Sequence, residues 1–299
     1  MQKSLSSPRI TIFGTNSTLK EIQNMKHQLL AGKKGIIFGA LDNQSIAWHV
    51  AEKCHEAGAK FTLTNAPVAL RFGQIQELAN QTGSEVIPAD ATSIKDLEAL
   101  ITQSMEILGG KVDFILHSIG MSLNVRKNRE YTDVNHEWML KTFDISALSF
   151  HKLMQTVYKM DAINEEGSIV ALSYIAAQRV FPDYSEMAES KALLESFARS
   201  FGYHLGTKSK VRVNTISQSP TFTTAGSGVK GFNEFYEYAS KMSPLGNASA
   251  SECADCCVAF FSDLTKKITM QNIFHDGGFS SMGINPGMIQ LDDNDSDKS

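Results

Sequence analysis

The sequence predicts an α/β fold, one parallel sheet of about seven strands covered by helices on both faces, and three observations carry that prediction. Short apolar runs alternate with longer segments of helical periodicity from residue 33 to residue 275. Enough chain follows each run for a crossover helix, so neighbouring strands can run parallel and be buried from both sides. No second series of strands appears, so the 299 residues are expected to share one core in one domain.

Residues 1–32 are rich in Ser, Asn, Lys and Gln, with Glu21 as the single acid. They lack a sustained apolar face and are expected to form a poorly ordered or loosely docked arm. An organelle-targeting peptide is the lesser reading, because bases outnumber acids there but arginine is scarce. Residues 33–40 (Lys-Lys-Gly-Ile-Ile-Phe-Gly-Ala) read as the first strand. The helix over 45–57 places Ile46, Ala47, Val50, Ala51 and Cys54 on one face and stops at Gly58. Strand 60–64, helix 72–80, strand 85–89, helix 94–108 and strand 112–118 follow. A long helix over 135–160 precedes strand 168–173, whose start Gly167 marks. A helix over 184–205, a strand over 211–217, a helix over 251–264 and a last strand over 271–275 complete the series. Right-handed crossovers then give a doubly wound, Rossmann-like sheet. The domain is expected to span 33–283, and 284–299 to be a flexible tail, acidic from Leu291 onward.

Two stretches, 121–133 and 217–231, interrupt the pattern without apolar periodicity. Both lie beyond carboxyl ends of strands, where open α/β sheets bind ligands. The second is expected to be a mobile substrate-binding lid, with Gly226, Gly228 and Gly231 as hinges and hydroxyls that could meet a pyrophosphate.

A formal net charge of -4 and a sequence pI ≈ 6.1 give no basic field, which excludes nucleic acid and the membrane surface as partners. A small-molecule or protein-carried substrate is expected instead. No apolar run approaches the roughly 20 residues that span a bilayer, and no signal-peptide core stands near Met1, so a soluble intracellular protein is expected. Cys54 stands alone, while Cys253, Cys256 and Cys257 share a helical segment without a fourth local ligand. They read as reduced core thiols, with no metal site.

The chemistry-bearing stretch is 173–191, which leaves a strand and enters a helix. Tyr174 closes the strand, Pro182 and Asp183 turn the chain, and Tyr184 stands seven residues before Lys191, a spacing that puts both on one helical face. A phenol supplies a proton or a hydrogen bond. A nearby ammonium favours its ionised form and can also hold a cofactor's hydroxyls. Upstream, Gly39 ends the first strand just before Ser45-Ile46-Ala47, a strand-turn-helix position where free backbone N–H groups attract a phosphate. Ser45 would cap that helix and could bond phosphate, although the full G-x-G-x-x-G pattern is absent. Asp90 could accept from an adenine amino group or serve as a turn or cap residue, and both readings stay open. Gly120, after His117-Ser118-Ile119, lets a flat ring lie against the backbone.

Gly39 with Ser45-Ile46-Ala47, Asp90, His117-Ser118-Ile119-Gly120, Tyr174, Tyr184, Lys191, Val211-Arg212-Val213-Asn214 and His275-Asp276-Gly277-Gly278 form an ordered set. From about Leu30 to Gly283 this set resembles the NADH-dependent enoyl-acyl-carrier-protein reductases of bacterial fatty-acid synthesis, divergent short-chain dehydrogenase/reductases. The tyrosine spacing selects the branch. Commoner members use Tyr-x-x-x-Lys, but Ala188 stands four residues after Tyr184, and their catalytic serine would fall near Ala171. The resemblance implies hydride transfer from NADH to the β-carbon of a trans-2-enoyl thioester carried on acyl carrier protein. Tyr184 would hydrogen-bond the thioester oxygen, Lys191 would bind the nicotinamide ribose, and Tyr174 would line the acyl site. It further implies cofactor contacts from Gly39, Ser45, Ile46, Asp90, Ala91, Ile119, Gly120, Thr221 and Thr223, and substrate contacts from Ser122, Tyr174 and Phe222. A cytoplasmic homotetramer without metal, membrane or nucleic-acid binding is the implied setting, with the apolar helices 135–160 and 184–205 as candidate faces.

NADH is expected over NADPH because Asn65-Ala66-Pro67-Val68 offers no base for a 2′-phosphate, Arg71 being the nearest. Departures from the family pattern are His49 on the first helix, Ser219 at the lid entry, Thr221-Phe222-Thr223-Thr224 facing the nicotinamide, and Glu186 and Glu189 around Lys191. The rival readings are a short-chain dehydrogenase acting on a hydroxyl or carbonyl, which Ala188 opposes, and a non-catalytic dinucleotide-binding protein, which would have no need of Tyr174, Tyr184 and Lys191.

Overall fold

Seven strands pair in parallel throughout: β1 (Lys34–Phe38), β2 (Lys60–Thr64), β3 (Glu85–Val86), β4 (Val112–His117), β5 (Ile163–Ser173), β6 (Arg212–Gln218) and β7 (Asn272–His275), in the spatial order β3-β2-β1-β4-β5-β6-β7. The computed structural model describes residues 28–71, 73–224, 226 and 229–288. The greater part of the expected arm, the acidic stretch from Leu291, Phe72 and Gly228 lie outside the described residues. Helices α1 (Ile46–Glu56), α2 (Ile75–Thr82), α3 (Ile94–Leu108), α4 (Leu123–Arg126), α5 (His136–Phe143), α6 (Ser149–Met160), α7 (Met187–Ser209), α8 (Phe232–Met242) and α9 (Ala250–Phe261) connect them. The sheet reverses its winding beside β1, which opens a crevice above the strand ends. No helix among the described residues is long and apolar enough to cross a membrane.

Alternation along the strands sorts side chains into two cores. Ile37, Leu116 and Val170 face α1 and α9 together with Cys54, Cys253, Cys257 and Phe261. Ile36, Ile115 and Ile169 face α3, α6 and α7, where Leu100, Phe150, Leu153 and Leu194 close the opposite layer. The four cysteines are free thiols, and all but the half-buried Cys256 are buried. Leu30 is fully buried, so the chain is anchored before residue 33.

Several boundaries differ from the sequence reading, each for a local reason. The expected helix 135–160 is three pieces, because one turn of π-helix, Asp144–Leu148, separates α5 from α6. There Ser146 Oγ accepts from the Met121 amide at 2.9 Å and Ser149 Oγ donates to the Ile145 carbonyl at 2.6 Å. Strand β5 begins at Ile163 instead of residue 168, and Gly167 lies within it, at a register shift that follows the Val112–Ile163 pair. β3 is only two residues long, but the next residues still follow β2 through Ile87 N to Leu63 O and Ala89 N to Asn65 O. Helix α7 begins at Met187, so Tyr184 is not helical. It ends a 3₁₀ turn, Pro182–Tyr184, and Ser185 follows in the left-handed region at φ 46°. His49 does not hold α1 off the sheet. Ala47, Val50, Ala51 and Cys54 make the buried face, while His49 lies to the side, 3.1 Å from Glu52.

Candidate active site

A cleft of about 960 Å³ lies over the carboxyl ends of the strands, and the loops after β1, β2, β4, β5 and β6 wall it. Gly39 leaves β1 at φ 96°, and a Cβ there would stand 1.9 Å from the Ser118 carbonyl oxygen, so only glycine allows the exits of β1 and β4 to approach this closely. Ser45 occupies the cap position of α1 without capping it. Its hydroxyl accepts from the Leu41 amide and donates to the Asp42 carbonyl, shaping the loop. The first turn of α1 therefore presents its N–H groups without a side-chain acceptor, the arrangement that suits a pyrophosphate. Ile46 lines the cleft beside it.

Thr64 and Asn65, at the end of β2, line the same wall and were not singled out from the sequence. The Asn65 amide is spanned between the Ala40 carbonyl and the Ala66 N–H, and the Thr64 hydroxyl is buried without a partner. Arg71 is exposed and does not line the cleft. Asp90 and Ala91 do, and Asp90 is a turn residue: it accepts from the amide and hydroxyl of Thr92, whereas the cap of α3 is Ser93. A shape-matched glycine turn, an open helix start and, among the described residues, no cation lining the cleft at the carboxyl end of β2 fit a dinucleotide without a 2′-phosphate.

The far wall holds the reactive groups. Lys191, on α7, is 7% exposed, and its Nζ donates to the Leu172 carbonyl at 2.8 Å. A Cβ on Gly120 would lie 3.7 Å from that Nζ, so the lysine reaches the backbone of the β4 loop that also carries Ile119. Burial lowers the Lys191 ammonium to about 8, and the negative charge of Glu195 partly offsets the shift. Tyr174 and Tyr184 lie with ring centroids 5.0 Å apart, and Phe181 and Phe235 extend the aromatic surface. Burial pushes both phenols above their ordinary range, with Tyr184 adding to the effect on Tyr174. Both hydroxyls thus keep their protons at neutral pH. His117, beneath this wall, is lowered to about 3 by burial and then by the charge of Lys191. It is neutral, and its Nε2 lies 2.9 Å from Ser149 Oγ.

Four assignments change. Glu186 and Glu189 do not surround the ammonium: Glu189 accepts from the Tyr131 hydroxyl, and Glu186 is enclosed by Ser122, Asn124, Thr142 and Ser185. The carboxylate that acts on Lys191 is Glu195, one helical turn further on, which accepts from Ser173 Oγ at 2.6 Å and Gln178 Nε2 at 3.3 Å. Its i, i+4 spacing from Lys191 was the available signal. Ser122 lines the cleft, but its hydroxyl is committed to Glu186 and to the Val125 amide and is not free for substrate. Phe222 packs on Phe232 and Tyr236 and does not line the cleft.

The lid residues Thr221 and Thr223 do line it. Thr224 Oγ1 donates to Asp42 at 2.6 Å, so the lid touches the loop after β1 across the opening. Ser219, at the lid entry, is tied to Ala248 through both its oxygen and its proton. Desolvation by burial raises the Glu186 carboxyl, but the hydrogen bonds from Thr142, Ser122 and Ser185 outweigh it and hold the group below its ordinary value.

The family profile described as "Enoyl-(Acyl carrier protein) reductase" matches residues 39–280. The Rhizobium meliloti protein named enoyl-[acyl-carrier-protein] reductase [NADH] 1 is 32% identical over 258 residues, covering 86% of this chain and 93% of that protein. Among solved structures, a FabI–NADH complex from Alistipes finegoldii aligns with a TM-score of 0.86 at 57% identity, over 90% of this chain and 98% of that one. The enoyl-[acyl-carrier-protein] reductase (NADH) of Aquifex aeolicus aligns with a TM-score of 0.79 at 31% identity, over 86% and 100%.

Proposed function

The chain belongs to the enoyl-(acyl carrier protein) reductase family, and from that premise we propose how its own residues carry the reaction. It is an NADH-dependent enoyl-acyl-carrier-protein reductase of fatty-acid biosynthesis, reducing a trans-2-enoyl thioester to the saturated acyl thioester. When bound, NADH supplies the hydride that adds to the β-carbon. The observation that carries the site assignment is the meeting of the protonated phenol of Tyr184 and the buried ammonium of Lys191 on one cleft.

Negative charge builds on the thioester oxygen as the β-carbon is reduced. Tyr184 Oη–H is the donor aimed at that oxygen, and a donor matched to developing charge lowers the barrier more than one matched to the ground state. The α-carbon of the resulting enolate then takes a proton from solvent water, which completes the addition of hydride and proton across the double bond. Lys191 spends one of its three N–H groups on Leu172 O, which leaves the others to bind the nicotinamide ribose hydroxyls. Its positive charge also favours the developing anion. Gly39, Ser45, Ile46, Asp90, Ala91, Ile119, Gly120, Thr221 and Thr223 are assigned to the cofactor side. Tyr174, with Phe181 and Phe235, forms the apolar wall for the acyl chain and excludes water from it.

Acyl carrier protein delivers the substrate. A cytoplasmic homotetramer is the assembly we assign, with α5, α6 and α7 as its candidate faces, on which Leu140, Tyr158 and Tyr203 stand exposed. Light scattering of the purified chain reads its mass directly. Loss of NADH absorbance on adding a crotonyl thioester tests the reaction. Tyr184→Phe is expected to lower kcat by about 100-fold, the scale of a lost transition-state donor. Near-native turnover by that variant overturns the assignment of Tyr184.

A further inference from the structure

Glu186 is fully enclosed, at 0% exposure, and makes no ion pair among the described residues. A buried carboxylate is costly unless hydrogen bonds replace its water, and here neutral donors do so. Its Oε1 accepts from Ser122 Oγ at 2.7 Å, Asn124 Nδ2 at 3.1 Å and Thr142 Oγ1 at 2.7 Å, and its Oε2 accepts from Ser185 Oγ at 2.7 Å.

The donors come from separate parts of the chain. Ser122 and Asn124 belong to the start of α4, Thr142 to α5, and Ser185 directly follows Tyr184. The first two are tied in turn to their surroundings. Ser122 accepts from the Val125 amide, and Asn124 exchanges hydrogen bonds with the backbone of Asn135 in both directions. Met121, Ser122, Val125, Arg126 and Lys141 line the cleft, so the segments that Glu186 gathers form one of its walls. None of its partners lies on the exits of β1, β2 or β3, where Gly39, Asn65 and Asp90 stand.

We infer that Glu186 is a positioning residue for the enoyl substrate: its carboxylate bolts the wall formed by α4 and α5 to the turn that carries Tyr184. The thioester then meets a wall at fixed distance from the phenol. This rests on the reading of Tyr184 as the donor to the thioester oxygen. Glu186 itself touches no reacting atom, since it is fully buried behind the wall and does not line the cleft.

The test compares Glu186→Val and Glu186→Gln in the full-length chain, measuring kcat and KM for a crotonyl thioester and for NADH, with Tyr184→Phe in parallel. Gln keeps the oxygen that serves Ser122, Asn124 and Thr142, and its amide can donate to Ser185, so it is the conservative variant. Val leaves the buried hydroxyls of Ser122 and Ser185 without their acceptor, the Asn124 amide with only the Asn135 carbonyl and Thr142 with only the Trp138 carbonyl, so thioester kcat/KM is expected to fall about 10-fold or more, while KM for NADH stays within about twofold. Gln is expected to recover most of the loss. Equal rises in both KM values, or a native thioester kcat/KM in Glu186→Val, would overturn the proposal. If Glu186→Val fails to fold, Thr142→Val removes one donor and is expected to raise thioester KM about threefold; a native value there overturns the proposal as well. An inactive Tyr184→Phe beside a native-like Glu186→Val sinks the Glu186 role alone, whereas an active Tyr184→Phe sinks the reading beneath it.

Discussion

Replacing Glu195 by Gln deletes one negative charge near Lys191 while keeping side-chain shape and an acceptor for Ser173 Oγ. The two residues are four apart on α7, a rise of about 6 Å along the helix. At about 6 Å and an effective dielectric near 20, two unit charges interact by about 2.8 kcal/mol. That is roughly two pKa units, and water in the open cleft reduces it to about one to two. Burial has already brought Lys191 down to about 8. Without the carboxylate the ammonium is expected to titrate near pH 6 to 7, roughly one to two units lower. NADH binding depends on the charged lysine, so affinity in the native enzyme should weaken as pH rises through about 8. In Glu195→Gln the same weakening should begin near neutrality. Fluorescence titration of NADH against pH gives the break directly, and Ser173→Ala, which removes the hydrogen bond but not the charge, should leave the break in place. An unmoved break in Glu195→Gln, or one moved upward, would refute the electrostatic argument.

Two further outcomes follow from the same wall and its opposite. Lys191→Met should stabilise the fold while abolishing NADH binding. The folded pKa of about 8 lies below that of an unfolded lysine, so holding the proton costs the native state up to about 3 kcal/mol at neutral pH. That cost is fully present below pH about 8 and fades as pH rises toward the unfolded value of about 10.4. Chemical denaturation at neutral and alkaline pH should therefore show a gain that shrinks with rising pH, and no gain at neutral pH counts against it. Gly39→Ala places a Cβ 1.9 Å from the Ser118 carbonyl at a positive φ. It should part the β1 and β4 exits and weaken NADH about 10-fold or more, read by the same titration.

The fold was legible because the information that specifies it is periodic. Strand and helix periods differ, and residues such as Ile36 and Ile37 or Ile115 and Leu116 sort to opposite cores by that difference alone. Gly39, Asp90, Gly120 and Tyr174 were legible for a related reason: each stands at the carboxyl end of a strand, and the strands could be found. The errors fall where a single side chain overrides the period. Ser146 and Ser149 bond to the β4 loop and to Ile145 and accompany a π turn that no periodicity announces. Phe222 has the composition of a cleft residue but finds aromatic partners in α8. Thr64 and Asn65 carry no motif, and only the pairing of β1 with β2 brings them to the cleft.

The spacing of Tyr184 and Lys191 shows most plainly how two residues can be placed on one cleft from incomplete geometry. Seven helical residues would set the two Cα atoms about 10.5 Å apart along one axis, with their side chains parallel. The chain instead ends a 3₁₀ turn at Tyr184, passes Ser185 at φ 46°, and starts α7 at Met187. A residue with a Cβ in such a sparsely populated positive-φ conformation, here with ψ -142°, costs roughly 1 to 3 kcal/mol, and its hydroxyl is held by Glu186 at 2.7 Å. The turn frees Tyr184 from the helix and lets its ring lean onto Tyr174, while Lys191 reaches back under the β4 loop. A helix beginning at Tyr184 would fix the phenol's direction by the helical repeat and separate it from Tyr174. The acid that looked like a threat to the lysine's field is thus bound to the very turn that aims the tyrosine, and the charge that does reach the lysine comes from Glu195, which no local reading of the 173–191 stretch contained.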